Sequence, residues 1–404
     1  MTVDFDTEWD HRGLSSLKWE FIVREGEPQP WENTSPDLGD ERILPMWVAD
    51  MDFRVAEPII SALENRVKSG IFGYAAKTPG YLSAVINWMQ RRHRWTVDEE
   101  WIVPTVGIVP ALHMIVRQFT NPGDDVLIQR PVYYPFSYAV ENNQRKVISN
   151  SLSLKDERYE MDFDDLEVKI KQSNITLAIL CNPHNPVGRV WSIDELSRFA
   201  EICYQNEILV VSDEIHGDLT LPGKNMTPYG RLDSKFTEKS IICTAASKTF
   251  NLAGLKTSNL VIRDPIIRGK MKQVIRASGL WGLNPLGLVA TEAAYNSGEP
   301  WLKDAINYIV GNHEFLGNYL RTHIPQLRVI PVESTYLAWI DCRELALDDD
   351  SLAALMIDNA KVYLDDGTMF GPEGAGFVRI NLACPRSVLE QALDRIRAAV
   401  GSLF

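Results

Sequence analysis

The chain has 404 residues, 45% of them hydrophobic and 24% charged, with a formal net charge of −13. That length suits one large domain with a smaller one beside it. The acidic balance excludes nucleic acid and anionic membrane as partners, since both demand clustered Lys and Arg, and no run approaches the roughly 20 apolar residues of a membrane-spanning helix.

From the N-terminus, "MTVDFDTEWD" is acidic and mixed and lacks the pattern of a secretory signal. The five cysteines, Cys181, Cys203, Cys243, Cys342 and Cys384, lie far apart without a CxxC. They read as buried reduced thiols of a cytoplasmic protein, not as a disulfide or metal framework. The middle of the chain alternates strand-like and helix-like runs. "DDVLIQ" (124–129), "ITLAILC" (175–181), "EILVVSD" (207–213) and "SIICTAAS" (240–247) are continuous apolar runs of the kind buried on both faces. Helical patterns separate them, one opening at Ser192 with Glu195 as a capping box. Strand–helix alternation predicts a parallel sheet with helices on both faces, over residues 50–290.

The last third changes character. Helical periodicity runs from Leu286 to about His323, followed by two strand-like pieces, a helix from Ser351, the strand "GFVRINLA" and a terminal helix. Ser387 and Glu390 predict a second capping box, and Leu389, Leu393, Ile396 and Val400 share an apolar face. Residues 291–404 thus read as an α+β domain on which residues 1–49 pack. "GPEGAG" (371–376) is followed by neither Lys-Ser/Thr nor a helix, so it reads as a turn and not a phosphate loop.

Open α/β sheets bind ligands outside the carboxyl ends of their strands. After "DDVLIQ" come Tyr133 and Tyr134; after "ITLAILC", Asn182 and Asn185 in "NPHNPVG"; after "EILVVS", Asp213; after "SIICTAAS", Lys248. Singly these are turn formers, caps and surface residues. Together at one sheet edge they match the needs of pyridoxal phosphate: a lysine amine for covalent attachment, an acid at the ring nitrogen, a donor to the phenolic oxygen and a ring to stack on. The acid keeps the nitrogen protonated. A dehydrogenase would show GxGxxG after its first strand, and none is present.

With these residues in place, the chain resembles fold-type-I pyridoxal-phosphate enzymes of the class I/II aminotransferase superfamily, and within it the cystathionine β-lyase and cystalysin branch of carbon–sulfur lyases. The resemblance spans nearly the whole chain: "SLKWE", "LPMWVADMDF", "FGYAAK", "RPVYYPF", "CNPHNPVGRVW", "SDEIH", "SKTFNLAGL", "STYLAWID" and "FVRINLACPRS" match in order. It implies a large domain with a mostly parallel seven-stranded sheet sandwiched by helices, plus a smaller α+β domain, and a homodimer with shared active sites. Lys248 would carry the cofactor and move the substrate α-proton. Asp213 would pair with the ring nitrogen, Asn185 would donate to the phenolic oxygen, and Tyr133 would stack on the ring. Gly107, Ile108 and Val109 would present backbone N–H groups to the phosphate; Pro110 suits a first helical position, and a helix N-terminus attracts anions. Ser247 and Thr244 would add hydroxyls there, and Tyr74 would reach the partner subunit's phosphate. Arg379 would bind the substrate carboxylate, with Tyr134 and Asn185 beside it.

Strand alternation in "FVRINL" supports Arg379 independently. Val378, Ile380 and Leu382 share one face, so Arg379 projects opposite with Phe377 and Asn381. A guanidinium fork suits a carboxylate; the competing reading is a structural ion pair. Two departures from the aminotransferase pattern stand out. His216 occupies the place of a Tyr three residues after the acid, either at the cofactor or packed behind it. Ala245 replaces the usual Ser/Thr three residues before the lysine, and Lys256 stands where a phosphate-binding Arg is common, with or without that role. The expected function is α,β-elimination of L-cystathionine or related cysteine conjugates to pyruvate, ammonia and a thiol. The alternatives are an aminotransferase on the same residues and a cofactor-binding regulator acting through protein contacts.

Overall fold

The four apolar runs become neighbouring strands at the centre of one sheet. The structure is a computed structural model that describes residues 3–24, 27–31, 41–280 and 282–404. Its main sheet has seven strands: β1 (Ile102–Thr105), β2 (Asp125–Ile128), β3 (Lys146–Ser149), β4 (Ile175–Cys181), β5 (Leu209–Asp213), β6 (Ser240–Thr244) and β7 (Ser258–Val261), in the order β1-β7-β6-β5-β4-β2-β3. β7 runs antiparallel to both β6 and β1, while β2, β3, β4, β5 and β6 pair in parallel. β1 contains Pro104 and lies at the sheet edge, where a missing N–H leaves no ladder bond unmade.

The continuous apolar runs are explained by burial on two sides. Val126, Ile128, Leu177, Ile179 and Val211 join one apolar cluster with Leu112 and Ile115 of helix α1 (Ile108–Phe119). The alternate residues Leu127, Ala178, Leu180 and Val210 join another with Phe199 and Cys203 of helix α2 (Ile193–Gln205). Period-2 side-chain direction thus feeds two cores from each strand. Helix α2 opens with the predicted capping box, Ser192 and Glu195 bonding reciprocally.

A second sheet of four strands, β8 (Arg328–Val329), β9 (Leu337–Asp341), β10 (Asp365–Asp366) and β11 (Phe377–Asn381), has the order β8-β9-β11-β10. Its apolar face, with Ile340, Val378 and Ile380, packs on Leu389, Leu393, Ile396 and Val400 of helix α4 (Arg386–Gly401). Helix α3 (Glu299–His323) spans both cores: Trp301, Leu302 and Ile309 enter the larger, Leu316 and Leu320 the smaller. The second capping box does not form. α4 begins at Arg386 after Pro385, two residues earlier than the Ser387 cap requires, and the Ser387 hydroxyl instead donates to Glu8 at 2.6 Å. "GPEGAG" is a 3₁₀ turn over Pro372–Gly374. All five cysteines are buried and free. Among the described residues, no helix is long and apolar enough to cross a membrane, and no cluster of His, Cys, Asp and Glu could hold a metal ion.

Candidate active site

The carboxyl ends of β4, β5 and β6 and the N-terminus of α1 open on one cavity of about 820 Å³, counted with its mouth. Asn185 enters from the loop after β4, Asp213 and His216 from the end of β5, and Ser247 and Lys248 from the turn after β6. Gly107, Ile108 and Val109 line it at the start of α1, Tyr133 from the loop after β2, and Lys256 from the turn before β7. Gly107 has φ +127°, open to glycine and strained for other residues. Pro110 falls third in α1 and not first. It is still within the turn whose N–H groups have no intrahelical partner, so the expected anion-binding end survives the shift.

Burial sets the electrostatics. It pushes the Asp213 carboxyl up to about 7, while the backbone N–H of Ile215 and the charge of Lys248 pull the other way. The Ile215 N–H donates to Asp213 Oδ1 at 3.1 Å. Burial brings the Lys248 amine down to about 8; nearby Asp50 and Asp213 raise it, Arg379 and Lys256 lower it. Lys248 Nζ donates to the Ala49 carbonyl at 2.6 Å. His216, pushed to about 3 by burial and then by Lys248 and Arg379, is a neutral imidazole, and its buried Nδ1 has no partner among the described residues.

These features fit pyridoxal phosphate. Asp213 is a buried acid lacking a bonded cation among the described residues, a deficit that a protonated ring nitrogen fills. Lys248 is a half-buried amine brought down to about 8, so about a tenth of it is neutral at pH 7. The N-terminus of α1, Ser247 and Lys256 together make an anion cradle. Tyr133 is tied to Asn185 by its backbone N–H, which donates to the Asn185 carbonyl at 3.0 Å.

Arg379 lies one hydrogen bond behind the cavity. Its Nη1 donates to Asn185 Oδ1 at 2.9 Å, which leaves the Asn185 amide nitrogen as the group able to donate onward. Nη2 donates to the Trp47 carbonyl at 3.1 Å and pairs with Asp365; the buried Nε has no partner among the described residues. The ion-pair reading of Arg379 is therefore realised, with a partner that no motif marked. Val378 and Ile380 face the small core, and Arg379 and Asn381 face the other way, as alternation predicts.

Two expected residues sit elsewhere, and a third faces outward, as a residue meant for the partner subunit would. Thr244 does not reach the cavity. It opens instead on a small void with His93, Glu214 and Asp218, because alternation along β6 turns it to the opposite side from the Lys248 turn. Tyr134 is not among the cavity-lining residues; it packs edge-on to Phe370 at 5.9 Å, and its hydroxyl is raised to about 12 by burial and by Asp365. Tyr74 is fully exposed and does not line its own chain's cavity.

Sequence reasoning matched the 47–53 segment, within "LPMWVADMDF", but gave it no role. Side chains from distant elements grip its carbonyls: Arg379 at Trp47, Asn381 at Val48 and Asp50, Lys248 and Tyr336 at Ala49, and Asn251 at Met51. "WVADMDF" carries little hydrophobic period, and its polar partners lie about 200 or more residues away, so no local signal names this role.

Fold and cavity together define a class, the pyridoxal-phosphate enzymes built on an α/β sheet. The chain belongs to the aminotransferase class I and II family, whose model matches residues 54–396. It is 42% identical to cystathionine beta-lyase PatB of Bacillus subtilis over 98% of this chain and 100% of that one. It is 32% identical to protein MalY of Escherichia coli, over 98% of each chain. Cystalysin from Treponema denticola, solved with a pyridoxal 5′-phosphate cofactor, superposes with a TM-score of 0.94 at 38% identity, covering 100% of both chains. The pyridoxal-phosphate-bound C–S lyase of Staphylococcus hominis gives 0.88 at 33%, covering 99% of this chain and 98% of that one. The fold is that of the fold-type-I pyridoxal-phosphate transferases.

Proposed function

We propose that this protein is a pyridoxal-phosphate-dependent carbon–sulfur β-lyase that eliminates the thiol from L-cystathionine or a related cysteine conjugate, yielding pyruvate, ammonia and the thiol. The observation that carries the reading is one cavity holding Lys248, Asp213 and Asn185, with Arg379 directly behind it. When bound, the cofactor supplies an electron sink for the carbanion at the substrate α-carbon. Asp213 would hold the ring nitrogen protonated, Asn185 would donate to the phenolic oxygen, and the N-terminus of α1, Ser247 and Lys256 would hold the phosphate. Lys248 is the attachment point and the base toward the α-proton; an amine near pH 8 suits that work at neutral pH. Arg379 would meet the substrate carboxylate with the N–H groups that Asn185, Trp47 and Asp365 leave unused, its Nε among them. Tyr133, at the cavity wall, donates a proton to the departing sulfur, and a thiolate leaves more readily than an alkoxide.

Residues 50–290 then act as the cofactor-holding unit, and residues 1–49 with 291–404 as the unit that brings Arg379. The separate apolar core of Leu316, Ile340, Val378 and Leu393 supports that division. The active form is a homodimer. Ile71, Phe72 and Tyr74, at 73%, 57% and 100% exposure, form an apolar run that a partner would cover, and Tyr74 would reach the partner's phosphate. The activity is tested with L-cystathionine in the absence of any keto acid. Elimination gives pyruvate over many turnovers. Turnover that stops after one equivalent and resumes only on adding a keto acid assigns an aminotransferase instead.

A further inference from the structure

A second cavity of about 1250 Å³ lies at the C-terminal end of the helix Pro79–His93, walled by the loop after Gly217 and by α3. Its lining contains Arg91, Arg92, Arg94, Lys224, Arg231 and Lys303 and, among the described residues, no Asp or Glu. In a chain with 54 acidic residues against 41 Lys and Arg, such a lining is against the grain of the surface. Two of the cations are neutralised from outside the cavity: Arg91 by Glu299 and Lys224 by Glu333, each at 3.0 Å. Arg92, Arg94, Arg231 and Lys303 have no ion pair among the described residues. Arg94, Arg231 and Lys303, with Arg92 partly offset by the Asp218 carboxylate beneath it, repel each other around one concavity, and a bound polyanion relieves that repulsion. A helix C-terminus alone would disfavour an anion, so these side chains and not the helix end must supply the attraction.

The floor is rigid. Asp218 accepts from Trp88 Nε1 at 3.0 Å and Thr249 Oγ1 at 2.8 Å, and lies 2.7 Å from His93 Nε2. Arg92 Nη2 is held on the Asp218 carbonyl at 3.0 Å. A cation fixed before the ligand arrives, as Arg92 is, loses little freedom on binding it. Asp218 is also one hydrogen bond from Thr249, the neighbour of Lys248, so the floor of this cavity adjoins the catalytic turn without sharing its ligands.

We propose that this basic cavity binds a small phosphorylated ligand carrying at least two negative charges, at a site separate from the cofactor cradle. The test is calorimetric titration of the cofactor-saturated protein with inorganic pyrophosphate and, in a second arm, ADP. Saturable one-to-one binding is expected. Equal affinities identify the diphosphate itself as the recognised group, and at least about tenfold tighter ADP identifies a nucleotide-type ligand. Reversing two charges with Arg231→Glu and Lys303→Glu, both exposed, should weaken binding at least about tenfold, with an unchanged cofactor absorbance reporting an intact fold. In the unmodified protein, raising salt from about 50 to about 200 mM should weaken pyrophosphate binding severalfold. Absence of binding below about 1 mM of either probe, affinity unchanged in the double variant, or affinity indifferent to salt would each overturn the proposal.

Discussion

Replacing Asp213 with Asn should have opposite effects with and without cofactor. In the cofactor-free protein, burial holds the Asp213 carboxyl near 7 against an ordinary 3.8. A carboxyl whose folded value lies above its unfolded one costs stability as pH rises from about 4 through about 7, and the cost is complete above that. At about 1.4 kcal/mol per tenfold, ionising this group in the fold costs roughly 1.5 kcal/mol at pH 5 and about 4 kcal/mol at pH 8. An amide never ionises. The cofactor-free variant should therefore gain about 2–3 kcal/mol on the native protein between pH 5 and pH 8, read by urea unfolding at both pH values. Loaded with cofactor, the native carboxylate faces a protonated ring nitrogen and its cost is offset, so the advantage should vanish or reverse. Elimination by the variant should fall at least about a hundredfold, near 2.7 kcal/mol of barrier, because an amide does not hold the ring protonated. A stability difference equal at pH 5 and pH 8, or a variant with native turnover, would refute the reasoning.

Lys248→Ala should leave no borohydride-stable cofactor adduct, seen as loss of the corresponding mass shift on the intact protein. Arg379→Ala strands Asp365 in a buried site and should cost about 3–5 kcal/mol by urea unfolding; joined with Asp365→Leu the loss should shrink, while the KM for L-cystathionine stays raised in both. Tyr74→Ala and Lys248→Ala, each inactive, should recover part of the activity when unfolded together and refolded, and sedimentation of the native protein should show a dimer; a fully active monomer would rule out shared sites.

Composition and pattern carried much of this protein. Four continuous apolar runs marked the centre of the main sheet, because strands buried on both faces have no polar side to show. Their carboxyl ends marked Asn185, Asp213 and Lys248, because a parallel sheet delivers its strand ends to one edge. Alternation placed Arg379 opposite Val378 and Ile380. The short strands Ile102–Thr105, Lys146–Ser149 and Ser258–Val261 escaped. Pro104 in the first, Lys146 and Ser149 in the second and Ser258 and Asn259 in the third break the continuous apolar run, and the reversed direction of the last depends on its neighbours and not on its own side chains.

What only the tertiary structure decided is what approaches from far along the chain. Asp365 meets Arg379 because β10 and β11 pair antiparallel, with those two residues in register. The 47–53 carbonyls meet Lys248 and Asn381 across about 200 and more than 300 residues. Thr244 lost its expected place because one residue of strand phase separates the two faces of a sheet. The basic cavity gathers cations from residues 91–94, 224–231 and 303, runs that look like ordinary solvated surface when read singly. Periodicity in a sequence reports which side of an element is buried; it holds no record of which distant polar group that side will meet, since hydrogen bonds and ion pairs are set by three-dimensional proximity alone.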